Sequence, residues 1–87
     1  MANTKIANTK KTAKLKSNFN KAVGRRIKKK RIGLELTREK LACMVKVSDR
    51  FIYDVEVGKK GMSAWTLYKL SKALGVSVEW LLYGAGS

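Results

Sequence analysis

Cations dominate the side chains that could do chemistry in this 87-residue sequence. Twenty Lys and Arg residues stand against six Asp and Glu, which gives a formal net charge of +14. Residues 1–34 hold twelve of the basic residues and no acid, whereas residues 35–87 carry a net charge of +2. Lys and Arg at this density attract polyanions and neutralise phosphates. We therefore expect the partner to be a polyanion.

The residues needed for most catalytic and metal chemistry are missing from the composition. The sequence has no histidine and one cysteine, Cys43, so Ser-His-Asp triads, Cys-His nucleophiles and His/Cys zinc sites cannot be assembled. We expect no enzymatic activity, no cofactor and no metal. A lone cysteine cannot form an internal disulfide, and no segment reaches the roughly 20 apolar residues of a membrane span. These features predict a cytoplasmic protein without a membrane partner.

The elements that must position the cations are helices preceded by an arm. Residues 1–18 are expected to be a flexible, disordered basic arm, because Ile6 and Leu15 offer too little apolar surface to offset the entropy of ordering. From Phe19 onward, apolar residues recur every four positions at Val23 and Ile27, which predicts an amphipathic first helix over about 18–32. Residues 19–83 form the predicted domain, and 84–87 a C-terminal tail.

Capping residues divide the remainder of the chain into four short helices. Thr37 is the predicted N-cap of a helix over 38–45, and Ser48 of a helix over 49–57. Ser63 begins a fourth helix that Gly75 ends, and Ser77 begins a last helix over 78–83. The predicted inward residues of the middle helices are Leu41, Ala42, Val45, Ile52, Val55, Leu67, Leu70, Ala73 and Leu74. Strand signals are absent, so the sequence predicts an all-α, five-helix bundle.

A short helix, a tight turn and a second capped helix are typical of proteins that place one helix in the DNA major groove. The succession "TREKLACMVKVSDRFIYDVEVGKKG" and "LYKLSKALGVSVEWLLYG" resembles the lambda-repressor-like (Cro/repressor, XRE-type) helix-turn-helix family. The resemblance extends without gaps over about residues 23–84. It implies a five-helix fold and double-stranded DNA as the partner.

The resemblance also implies roles for individual residues. Arg31 matches the arginine that forms a structural pair with the glutamate after the recognition helix, here Glu56. The candidates for reading bases are Ser48, Asp49, Arg50, Tyr53 and Asp54. The candidates for phosphate contact are Arg38, Lys46, Lys59, Lys60 and, from the basic run at the end of the first helix, Lys28.

Three positions depart from the family pattern. Arg38 stands where the family usually has glutamine, which replaces a bridging amide by a charge suited to phosphate. Lys46 stands at a turn position that is usually glycine, because the left-handed conformation there costs other residues about 1 kcal/mol. Asp49 and Asp54 put two negative charges on the expected reading face.

The last helix carries Trp80, Leu81 and Tyr83, which either cap the core or form a two-fold dimer surface. We favour a homodimer in which Trp80 and Tyr83 meet their copies.

The predicted function is that of a phage or bacterial repressor, a sequence-specific transcriptional regulator binding a short operator through the helix 49–57. One alternative is an antitoxin-like DNA-binding protein that also holds a partner protein. Another is a sequence-indifferent RNA-binding or nucleoid-coating protein, which the charge alone would satisfy.

Overall fold

The computed structural model describes the backbone of residues 2–84 and the side chains of residues 11–84. Five helices follow one another: α1 (Ala2–Gly33), α2 (Arg38–Val45), α3 (Asp49–Glu56), α4 (Ala64–Leu74) and α5 (Val78–Tyr83). Residues 2–84 contain no strand, and the all-α prediction is confirmed. Among the described residues, no helix is both long and apolar enough to cross a membrane.

The starts of the four short helices coincide with the predicted caps. In each case the cap hydroxyl accepts a hydrogen bond from the backbone N–H three residues later, as for Thr37 and Lys40 at 3.0 Å. The other three caps are Ser48, Ser63 and Ser77. Gly75 ends α4 at φ +69°, in the left-handed conformation that glycine adopts without steric cost. Local hydrogen bonding therefore sets the bounds of these helices.

The start of α1 differs from the prediction. The helix begins at Ala2 and not near Asn18, so the segment predicted as an arm without regular structure is helical. Extending an existing helix needs no new nucleus, and Ala and Lys are strong helix formers. The segment is also free of Pro and Gly until Gly24. Residues 11–16 are exposed, as expected of chain that precedes the domain.

The core lies where α1 packs against α3, α4 and α5, with α2 packed on α3 and α4. Its fully buried side chains come from all five helices and include Ile27, Leu41, Ile52, Leu70 and Leu81. The predicted inward residues of α2, α3 and α4 are buried or packed against this core. Phe19 of α1, whose spacing also predicted an inward position, has 43% of its surface exposed. It lies at the mouth of a groove with Met62 and Leu82, where α1 runs past the end of the bundle.

Gly24 allows α1 and α3 to touch through their backbones. A Cβ atom at this position would overlap the carbonyl oxygen of Val55 and lie 2.5 Å from that of Glu56. Any larger residue would push the C-terminal end of α3 away from α1. The depth at which α3 sits on α1 therefore depends on this glycine.

Candidate nucleic-acid interface

The turn between α2 and α3 sets the direction of α3. Lys46 adopts the left-handed conformation expected of this position, with φ 59° and ψ 51°. The next residue, Val47, donates its N–H to the Ala42 carbonyl at 3.0 Å, which closes the end of α2. From α4, the Lys69 ammonium donates to the Val45 carbonyl at 2.7 Å. The turn is thus fixed by its own backbone and by a cation from a neighbouring helix.

A buried ion pair holds the far end of α3 against α1. The Glu56 side chain is fully buried, and its two carboxylate oxygens accept from Arg31 Nε at 2.6 Å and Nη2 at 3.1 Å. Arg31 also donates from Nη1 to the Leu36 carbonyl at 2.7 Å. The pair implied by the family resemblance is therefore present, and it is bidentate. Bidentate geometry fixes orientation as well as distance.

Arg38 joins the same carboxylate. Its Nε donates to Glu56 Oε1 at 3.0 Å, and its guanidinium lies 5.3 Å from the centre of the Tyr53 ring. About a third of the side chain, 36%, remains exposed. The sequence predicted Arg38 as a phosphate contact and did not predict this second ion pair. Contact with phosphate stays a prediction for the exposed part of the side chain.

The outer face of α3 presents four of the five predicted base-reading residues. Ser48, Asp49, Arg50 and Tyr53 are exposed. Arg50 is 72% exposed in its side chain, donates from Nε to Asp54 Oδ1 at 3.1 Å and lies 5.8 Å from the Tyr53 ring. The Tyr53 ring therefore has a guanidinium from α2 and one from α3 nearby, which limits its motion. We call these four residues the reading face.

Asp54, which the sequence also predicted as a base reader, lies outside the reading face. The residue is 6% exposed, because the loop after α3 folds back over it. Its carbonyl accepts the Lys59 N–H at 2.8 Å, and its Oδ2 lies 3.7 Å from Lys60 Nζ. The carboxylate thus ties the loop to α3. The local sequence does not show a fold-back of this kind.

The remaining phosphate candidates lie on the surface. Lys28, Lys46, Lys59 and Lys60 are all exposed. Lys60 is the most constrained of them, because its ammonium also lies 5.6 Å from the Phe51 ring. Within residues 11–84, no three His, Cys, Asp or Glu side chains come together as metal ligands would.

The structure separates the three residues predicted for a dimer surface. Leu81, predicted as a dimer contact, is fully buried in the core of the single chain. Trp80 is half-buried with the Lys30 ammonium 5.8 Å from its ring, and Tyr83 is 69% exposed. The neighbours of Leu81 in α5, Trp80 and Leu82, are partly buried against the same core.

Sequence reasoning missed Arg26, which fastens α5 to α1. Its Nη1 donates to the carbonyls of Leu81 at 3.0 Å and Leu82 at 2.9 Å, at the end of α5. A cation at a helix C-terminus also complements the helix dipole. No local signal identifies this role, because the partners are more than fifty residues apart in the chain.

A family described as "Helix-turn-helix domain" matches residues 24–87. The chain belongs to this family. The family match and the similar solved structure described below confirm the lambda-repressor-like, XRE-type group that the sequence indicated. The chain is a DNA-binding transcription regulator, of a family that is generally non-enzymatic.

A solved structure supports the same assignment. This chain is similar to the restriction-modification controller protein C.AhdI from Aeromonas hydrophila, with 26% sequence identity. The match covers 71% of this chain and 94% of that chain, with a TM-score of 0.68. Nearly the whole of C.AhdI is therefore matched, whereas part of this chain lies outside the match.

Proposed function

We propose that this helix-turn-helix chain is a sequence-specific repressor that reads a short operator with α3 in the major groove. The observation that carries the proposal is the way α3 is held. Its inner side is anchored by Ile52, Val55 and the buried Glu56, while its outer side presents the reading face to solvent. The major groove admits an α-helix and displays a distinct pattern of donors and acceptors for each base pair.

Arg50 is the proposed principal base contact. Its Nε donates to Asp54 Oδ1, and 72% of its side chain is exposed, so its two terminal nitrogens can act as donors to DNA. Two such donors match O6 and N7 of guanine, the commonest specific contact of arginine. Tyr53 lies beside Arg50 and contacts a thymine methyl group or a phosphate in this arrangement. Asp49 accepts from the amino group of cytosine, and Ser48 donates its hydroxyl proton to a base or a phosphate.

The exposed cations around the reading face are the proposed phosphate contacts. Lys46 lies before α3 and Lys59 and Lys60 after it, so they bracket the helix at both ends. Lys28 and the exposed part of Arg38 complete the set. Contacts of this kind fix the register of the protein on the duplex and carry no sequence information by themselves.

The proposed active form is a two-fold homodimer through α5. Tyr83 exposes most of its ring, and Trp80 is half-buried next to it, which leaves apolar surface at the end of a terminal helix. A two-fold axis there would cover the same patch on both copies at once. The two reading faces then meet inverted half-sites about 10 to 10.5 base pairs apart, centre to centre.

The dimer geometry is tested with operator spacing. Inserting about five base pairs between half-sites turns one of them to the opposite face of the DNA, so affinity should fall towards the non-specific level. Inserting a full turn of about ten base pairs is the matched control. A monomer in sedimentation, at concentrations that saturate the operator, would exclude this geometry.

Selection of bound duplexes from a random pool tests the function as a whole. A common motif with inverted symmetry supports sequence-specific reading, and reduced transcription from a promoter carrying it supports repression. We propose repression because a domain seated in the major groove excludes other proteins from the same DNA and needs no further residues to do so. Recovery of all sequences equally would instead support nucleic-acid coating, and co-purification of a second small protein an antitoxin-like role.

A further inference from the structure

The part of α1 that precedes the helix-turn-helix domain is a basic surface with no role in the proposed reading of the operator. The family match begins at residue 24, whereas α1 begins at Ala2. Residues 11–16 are exposed and include Lys11, Lys14 and Lys16. Neither Asp nor Glu occurs before Glu35, so nothing in this part of the sequence offsets the charge.

The lysines of α1 form a stripe. Lys14, Lys21 and Lys28 follow one another at intervals of seven residues, which is close to two helical turns, so they share one face of α1. All three are exposed. The stripe extends over about 21 Å of helix, a length that passes about six phosphates on one strand of a duplex. We call these residues the lysine stripe.

Contacts with the loop after α3 place the lysine stripe beside the proposed interface. A Cβ atom at Gly58 would overlap the Lys21 side chain and lie 2.8 Å from Lys21 Cα, so the loop rests directly on α1 there. A Cβ atom at Gly61 would lie 3.6 Å from Asn20 Oδ1. Between these glycines the loop carries Lys59 and Lys60, both proposed phosphate contacts. The extension of α1 therefore leaves the domain at the edge where DNA backbone is expected.

We propose that Lys14 and Lys21 of the lysine stripe, together with Lys11, bind phosphates of the duplex outside the half-site that α3 reads, beyond the phosphate contact already proposed for Lys28. The inference rests on the proposed function, because that function sets which side of the domain faces DNA. The stripe has charge without the constrained donors of the reading face, so it adds affinity equally for every flanking sequence. The same protein therefore holds a longer stretch of DNA than the helix-turn-helix domain covers.

The test compares operators with short and long flanks, using the full chain and the motif obtained by selection. One duplex ends about 3 base pairs beyond the half-sites and the other about 12, so that only the second offers flanking phosphates to the stripe. Affinity is measured for both at several salt concentrations. The parent protein should bind the longer duplex more tightly and with a steeper dependence of log affinity on log salt.

The informative variant is Lys11→Gln with Lys14→Gln, since both residues are exposed and Gln keeps a good helix propensity. On the long duplex its salt slope should be smaller than the parent's by about 1.8, from two phosphates at about 0.9 each. On the short duplex it should match the parent, and its preference for the operator should not change. Circular dichroism of the variant checks that helix content is kept.

The matched control is Lys29→Gln with Lys72→Gln, which removes the same charge from exposed positions off the stripe. It should keep the parent's difference between the two duplexes. Equal slopes for the two double variants on the long duplex, or a parent that does not distinguish the duplexes, would overturn the inference. A selection that returns no motif would count against the proposed function instead, so the two failures are distinguishable.

Discussion

The reading face of α3 and the lysine stripe of α1 are both exposed and polar, but their side chains are held in opposite ways. On α3, Arg50 is tied to Asp54, and Tyr53 lies near two guanidiniums. On α1, the stripe consists of long lysine side chains that extend from a helix into solvent. Discrimination between bases needs donors held in position, whereas attraction to phosphates needs only charge within reach. The reading face is therefore suited to discrimination between bases, and the lysine stripe to binding of phosphates.

The two regions are joined by the buried carboxylate of Glu56, so removing it has the largest expected effect. Glu56→Ala leaves the buried Arg31 without its partner, and we expect a loss of about 3 to 5 kcal/mol in the free energy of unfolding. Operator binding should be lost through unfolding. Urea denaturation followed by circular dichroism measures the change.

Glu39→Ala is the control for this variant, because Glu39 is an exposed carboxylate in the first turn of α2. Its loss should cost less than about 1 kcal/mol, the usual contribution of an exposed charge near a helix N-terminus. Similar denaturation midpoints for the two variants would show that the buried pair contributes little.

The next effect concerns the reading face alone. Arg50→Ala should relax the preference for one base pair of each half-site by about 1 to 3 kcal/mol, because a bidentate contact with guanine is removed. Affinities for the operator and for its single-base variants give this preference directly. Arg25→Ala removes the same charge from an exposed position on α1 and should weaken all these duplexes alike. If Arg50→Ala also weakens them alike, Arg50 is a phosphate contact.

Arg38 is bonded to the buried Glu56 and also has an exposed part that is proposed to contact phosphate. A substitution at this position tests both roles. Arg38→Gln removes the bond to Glu56 and the cation near the Tyr53 ring. For a pair that is about a third exposed, we expect a loss of about 1 kcal/mol in unfolding free energy. Because the exposed part of Arg38 is a proposed phosphate contact, the salt slope of DNA binding should also be smaller than the parent's by about 0.9. An unchanged slope with the same loss of stability would show that Arg38 acts only through its ion pair with Glu56.

The smallest expected effect is at the turn that aims α3. Lys46→Gly should stabilise the fold by up to about 1 kcal/mol, because glycine adopts the left-handed conformation without steric cost. Lys40→Gly, in the first turn of α2, should destabilise it by up to about 1 kcal/mol. Thermal melting of both variants shows whether each substitution raises or lowers the stability of the fold. Destabilisation by both would mean that the turn stores no strain.

Much of the fold could be predicted from the sequence because the signals for its helices are local. Thr37, Ser48 and Ser63 bond to N–H groups three residues away, so the starts of α2, α3 and α4 follow from neighbouring residue types. The left-handed turn at Lys46 follows in the same way, from its place in the family pattern. Where the local signal was weak, as in the segment before Asn18, the prediction of a disordered arm missed the N-terminal extension of α1.

In the candidate site, too, local features could be predicted from the sequence and contacts between distant residues could not. The sequence by itself determined which residues α3 carries and, since helical spacing is regular, that Arg50 and Tyr53 share a face. Only the tertiary structure decided that Asp54 is buried under a loop, that Arg38 shares the carboxylate of Glu56 and that Leu81 belongs to the core. Each of these outcomes depends on groups that packing brings together from distant parts of the chain. Periodicity and capping describe one element at a time, so they carry no information about such contacts.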